Sequence, residues 1–175
     1  DRVRSSAVTG GLDFSHAWAD RTWTVGGFFA ASRIAGLPAV ITAAERSSVR
    51  YFQRPDAAHL TVDAAARSLS GLTGELTLNK EAGLHWRGEL GYWTTSPGFE
   101  TNDLGFQTRA DEHQGRLNVE YVEERPGSVF REWNIDSRLE GAWNYGRDRI
   151  GTTLEVQVGA QLLNYWNGEV QINRS

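Results

Sequence analysis

Apolar and polar residues alternate strictly along most of this 175-residue chain, and a period of two is the mark of strands with two unlike faces. The clearest run puts Trp133, Ile135, Leu139, Gly141, Trp143 and Tyr145 on one face and Glu132, Asn134, Asp136, Arg138, Glu140 and Asn144 on the other. A helix would mix the two sets. The same pattern sets Val8, Leu12, Phe14 and Trp18 against Thr9, Asp13 and Ser15, and Leu72, Leu76 and Leu78 against Thr73, Glu75 and Thr77. It sets Leu84, Trp86, Leu90 and Tyr92 against His85, Arg87 and Glu89, and Leu117, Val119 and Tyr121 against Arg116, Asn118 and Glu120. Runs through Trp23 to Phe29, Thr152 to Leu162 and Trp166 to Ile172 bring the set to about eight strands.

The connections predict the topology. Pro38, Pro55, Pro97 and Pro126 all fall between the runs, where a missing N–H breaks no ladder. Short turns are expected at Ala19 to Arg21, Lys80 to Gly83, Arg125 to Ser128 and Leu163 to Tyr165, with a modest one at Gly146 to Arg149. Long connections are expected at Ile34 to Arg67, with a helical turn near Ala39 to Ser47, and at Ser96 to Asp111. Consecutive hairpins place every second connection at the same end, so the long ones gather at one end and tight turns at the other. The fold class is all-β: an antiparallel up-and-down meander in one domain over residues 1–175.

Alternation alone does not say whether the apolar face meets a protein core or lipid. A soluble β-sandwich or calyx, binding an apolar ligand or a glycan, would bury it. A transmembrane barrel would turn it outward. The strands are long, at about 11 to 14 residues against a globular mode of about 5 to 6. All of the 7 Trp except Trp133 lie within three residues of an expected strand end, as indoles at headgroup level would. Both features favour the barrel.

Composition narrows the chemistry. A net charge of −4, without a basic stripe, gives no electrostatic case for nucleic acid. No Cys occurs, so disulfides, thiolate nucleophiles and Cys zinc sites are excluded. The absence of Met predicts a processed chain or an internal stretch of a longer one. The histidines His16, His59, His85 and His113 stand at no metal-ligand spacing. No nucleophile elbow, phosphate loop or HExxH motif is present, so neither an enzyme nor a bound metal or cofactor is expected.

Two sets of residues remain as candidates. Arg87, Glu89, Arg116, Glu120, Glu132, Asp136, Arg138, Glu140 and Glu155 put both charge signs on one strand face. In a barrel they line the lumen, pair across strands and set ion selectivity. In the long loops, Arg50, Tyr51, Phe52, Gln53 and Arg54, with Pro97, Phe99, Asn102, Asp103 and Phe106, mix aromatics with hydrogen-bonding groups. That mixture suits sugar stacking. The same residues also suit folding the loops onto the rim, with Phe99 and Phe106 as an apolar plug, Arg50 and Arg54 paired to loop carboxylates, and an Asx-turn at Asn102 or Asp103.

The stretches RSSVRYFQRPDA (Arg46 to Ala57), SPGFETNDLGFQTRAD (Ser96 to Asp111) and SLSGLTGEL (Ser68 to Leu76) carry a resemblance. They are similar to the C-terminal barrel domain of a large family of uncharacterised bacterial proteins. In these, a family-9-type carbohydrate-binding module precedes an outer-membrane-type β-barrel. The resemblance implies location in the bacterial outer membrane, a lipid partner and a link to carbohydrate at the cell surface. It also implies barrels of more than eight strands. The absence of the module, and a terminal Asn173-Arg174-Ser175 without the aromatic usual in outer-membrane strands, fit an internal portion of such a barrel. Eight strands alone can also close, around a lumen filled with salt-bridged side chains.

Overall fold

A computed structural model describes residues 5–101 and 107–175. Eight strands follow in chain order: β1 (Ser6–Trp18), β2 (Trp23–Ala35), β3 (Ser68–Lys80), β4 (Trp86–Thr95), β5 (Glu112–Glu123), β6 (Phe130–Trp143), β7 (Arg149–Leu162) and β8 (Asn167–Arg174). One helix, α1 (Pro38–Glu45), lies between β2 and β3. Each strand pairs antiparallel with the next, and the order in the sheet is the order in the chain. The meander is as predicted, but it is open. Among the described residues β1 pairs with β2 alone and β8 with β7 alone, so these eight strands do not form the small closed barrel that their number allows.

The ends also sort as expected. Tight turns at 19–22, 81–85, 124–129 and 163–166 share one end; the connections 36–67, 96–111 and 144–148 share the other. Ala19, Asp20 and Arg21 all take left-handed φ, at 50°, 53° and 63°, and Thr22 closes the turn on the Ala19 carbonyl at 2.9 Å. Three non-glycine residues in this region store strain. The helix begins at Pro38, whose fixed φ suits a first turn with no N–H to satisfy, and Leu37 caps it in extended conformation. It is shorter than the expected Ala39 to Ser47 span, ending at Glu45 with Arg46 as its C-cap.

The register aligns like with like. Leu90, Leu117, Leu139 and Leu154 stand side by side across β4 to β7, and Leu78 and Val25 extend the row. One residue along, Glu89, Asn118, Arg138 and Glu155 form the neighbouring row on the opposite face. A slip of one residue would exchange the faces, so the pattern itself fixes the register.

Among the described residues nothing covers the apolar face. Leu12, Leu90, Leu117, Leu139, Leu154, Val170 and Ile172 are all exposed, Ile172 to 66%. The buried apolar residues lie elsewhere: Ile34, Val40, Ile41, Phe52, Ala57, Phe99 and Ala110 form a core in the long connections and the adjoining end of β2. No helix among the described residues is long and apolar enough to cross a membrane, a statement that does not bear on strands.

Candidate functional site

Two regions combine polar chemistry with a built geometry. The first is the charged face of the sheet. Alternation and register put Arg87, Glu89, Arg116, Glu120, Glu132, Asp136, Arg138, Glu140 and Glu155 together on it. Each arginine meets carboxylates from neighbouring strands or turns. Arg116 donates from Nε to Glu140 at 2.7 Å and lies 3.7 Å from Glu89. Arg87 lies 3.8 Å from Glu120 and 3.7 Å from Glu124, and Arg138 lies 4.0 Å from Glu155 while donating to Asn118 at 3.3 Å. These groups are half-exposed, so each pair contributes little stability, but the ladder holds the guanidinium groups in place.

The face is grooved. A groove of about 380 Å³ runs between Asn79, Glu89, Asn118, Asp136, Arg138 and Gln157. A second, of about 470 Å³, lies toward the tight-turn end beside Glu132, Asn134, Gln161 and Glu169, and Arg87 and Glu120 border both. Trp93 is the one strand tryptophan on this face, lying over Gly91 with the Arg116 guanidinium 4.9 Å from its ring. Its position was readable from the parity of β4, since Leu90 and Tyr92 point the other way.

The second region is the loop layer. Arg50, only 1% exposed, ion-pairs with buried Glu100 at 2.9 Å and donates to Ser47 at 3.3 Å and to the Phe99 carbonyl. Gln107 donates to the same carbonyl at 3.1 Å. The layer is tied to the charged face of β2 and β3: the Glu100 N–H donates to the Ser32 hydroxyl at 2.8 Å, and the Leu72 N–H to the Ser96 hydroxyl at 2.8 Å. Gly71, paired with Ser32, is required here, because a Cβ would collide with the backbone of Gly98 and Phe99.

At the opposite side, Asp111 is fully buried and accepts from three groups. These are Arg54, His59 Nε2 at 3.0 Å and the Tyr145 N–H at 3.0 Å. The His59 ring lies against Gly146 in the turn between β6 and β7. The Ala110 N–H donates to the Val49 carbonyl at 3.1 Å and joins the two loops. Within α1, burial pushes the Glu45 carboxyl above its ordinary range, an effect partly offset by the Asp63 N–H donated to it at 3.0 Å.

The loop residues expected at a glycan-binding mouth are therefore distributed unevenly. The stretch around Arg50 and the stretch around Phe99 do meet, but Arg50, Phe52 and Phe99 are buried and Arg54 is turned to Asp111. Tyr51, in left-handed conformation, is half exposed at 50%. Asn102, Asp103 and Phe106 lie outside the described residues. The expected pairing of Arg50 and Arg54 with loop carboxylates is found, with Glu100 and Asp111 as the partners, whereas nothing in the sequence singled out Glu45, whose N–H partner Asp63 lies 18 residues away. Among the described residues no three or more His, Asp or Glu side chains gather where they could hold a metal ion.

No curated protein and no solved structure matches this chain. A family model does, over residues 7–175. The chain belongs to that family, described as a domain of unknown function, DUF5916.

Proposed function

We propose that this domain is a stretch of the wall of an outer-membrane β-barrel, with its apolar face against lipid and its charged face lining a lumen for the passage or docking of solutes. The observation that carries this reading is the uncovered apolar face, bounded by aromatic side chains near both ends. Toward the tight-turn end, Trp18 stacks on Trp23 at 6.3 Å, and Tyr121 packs between Trp86 at 4.9 Å and Trp133 at 5.0 Å. Toward the long-loop end, His113 stacks on Tyr145 at 4.0 Å and accepts or donates at 2.7 Å with the Tyr92 hydroxyl. From Trp133 to Trp143 along β6, ten residue steps span about 33 Å, or about 25 Å at a strand tilt of about 40°, which is the height of an outer-membrane apolar band.

A soluble sandwich or calyx needs a second layer over the apolar face, and the described residues supply none. The charged ladder and its grooves suit a polar lumen. The link to surface carbohydrate rests on the resemblance to barrels that follow a carbohydrate-binding module, not on the loop side chains.

The test is tryptophan fluorescence with circular dichroism of the protein in plain buffer and in micelles of ordinary and brominated detergent. The proposal expects β-structure to need micelles and bromine to quench the indoles. A folded monomer in buffer with unquenched tryptophans would overturn it in favour of the soluble fold.

A further inference from the structure

We infer that the lumen wall formed by this sheet passes cations in preference to anions. The inference rests on the reading of the sheet as a barrel wall, and adds to it the sign of charge that the wall selects. Among the described residues, Arg87, Arg116 and Arg138 are the only basic side chains that the strand registers put on the charged face. Each is taken up by the ladder: Arg116 by Glu140 and Glu89, Arg87 by Glu120 and Glu124, and Arg138 by Glu155. Lys80 borders the first groove from the opposite face, and its ammonium is held on the Ala82 and Trp86 carbonyls at 2.7 and 2.6 Å.

Carboxylates remain after the arginines are used. Register places Asp13, Glu75, Glu132, Asp136 and Glu169 on the same face, and none of the five has an ion pair among the described residues. None is buried, so all face the solution. Asp13 and Glu75 lie in one cross-strand row on either side of Phe28, on the long-loop side of the row that pairs Arg116 with Glu140. Glu132, Asp136 and Glu169 lie toward the tight-turn end, where Glu132 and Glu169 line the groove of about 470 Å³. Spread over four strands, they do not gather as a metal site. They act instead as a field. Neighbouring strands lie about 4.8 Å apart, so charges two strands apart act within the Debye length of about 10 Å at 0.1 M salt. A low-dielectric wall carrying a surplus of one sign concentrates the opposite ion along it and repels its own.

The experiment is the reversal potential of the full-length protein in planar phosphatidylcholine bilayers under a potassium chloride gradient, with brominated-detergent quenching run in parallel on every variant. The inference expects potassium to permeate over chloride by about tenfold near 0.1 M salt. The ratio falls toward one near 1 M, where the Debye length shrinks to about 3 Å. Asp13→Asn with Glu75→Gln, and separately Glu132→Gln with Glu169→Gln, each lower the ratio by about twofold or more. The two pairs stand on different strands, so one remains informative where the other fails to insert. Unquenched wild-type tryptophans would remove the barrel reading, and the inference with it. Quenched tryptophans with no ion current, with chloride favoured, or with a ratio that neither salt nor the substitutions alter would overturn the inference and leave the barrel standing.

Discussion

Leu117 offers the sharpest test of what the apolar face meets. It stands four residues from His113 and four from Tyr121 along β5, in the middle of the Val25, Leu78, Leu90, Leu139 and Leu154 row. Four steps are about 13 Å of strand, or about 10 Å of depth at a tilt of about 40°, which in the proposed barrel would put it at the bilayer midplane. If the proposed barrel holds, Leu117→Arg there loses about 2–4 kcal/mol of folding stability, the cost of an arginine in the hydrocarbon centre of a barrel. Leu117 is already 43% exposed within the sheet, so in water the same change stays within about 0.5 kcal/mol. Glu123→Arg, at the level of Trp133 on the same face and about six steps from the midplane, loses no more than about 1 kcal/mol. Equilibrium urea unfolding and refolding of the full-length protein in phosphatidylcholine vesicles measures both. Equal, small losses at the two positions would refute the depth assignment.

The loop layer gives three more predictions. Gly71→Ala drives a Cβ into the backbone at Phe99 and loses about 1–3 kcal/mol, whereas Gly168→Ala, with nothing within 4 Å of the new carbon, is near neutral in the same urea titration. Arg50→Met leaves buried Glu100 without its guanidinium and destabilises the layer by about 3–5 kcal/mol; adding Glu100→Leu restores much of it, as read by hydrogen exchange across residues 36–67. Burial raises the Glu45 carboxyl above its ordinary 4.5, so the unfolded chain loses this proton first and stability falls as pH climbs from about 4.5 through the raised value. Glu45→Gln removes that component, and thermal unfolding of the two proteins between pH 4 and 7 detects the difference; parallel curves would reject it.

Most of the strand ladder was legible because a half-buried strand writes its geometry into adjacent letters. The turns at 19–22 and 163–166 lie within one residue of where the alternation breaks. Errors fell where alternation runs past the last ladder bond: Leu84 and Tyr145 continue the pattern of β4 and β6 but belong to turns. The loop layer was legible only in part. Pro38 and the apolar residues after it announce a helix, yet nothing local says that Arg50 will be buried against Glu100 or that Asp111 will collect three donors. Those contacts join residues 34 to 57 positions apart, and two of the aromatics that mark a sugar-binding surface in sequence, Phe52 and Phe99, are residues that fill a small core.

The two edges left unpaired among the described residues set a rule of parity. Of the backbone N–H groups of thirteen-residue β1, roughly six point away from β2, and each left unsatisfied in hydrocarbon costs several kcal/mol. Neither β1 nor β8 carries the proline or lysine that shields natural edges. Because the chain reverses at every hairpin, β1 and β8 run in opposite directions. A ring that stays antiparallel throughout can therefore take additional strands between these two edges only in even number, and an odd insertion would force one parallel seam.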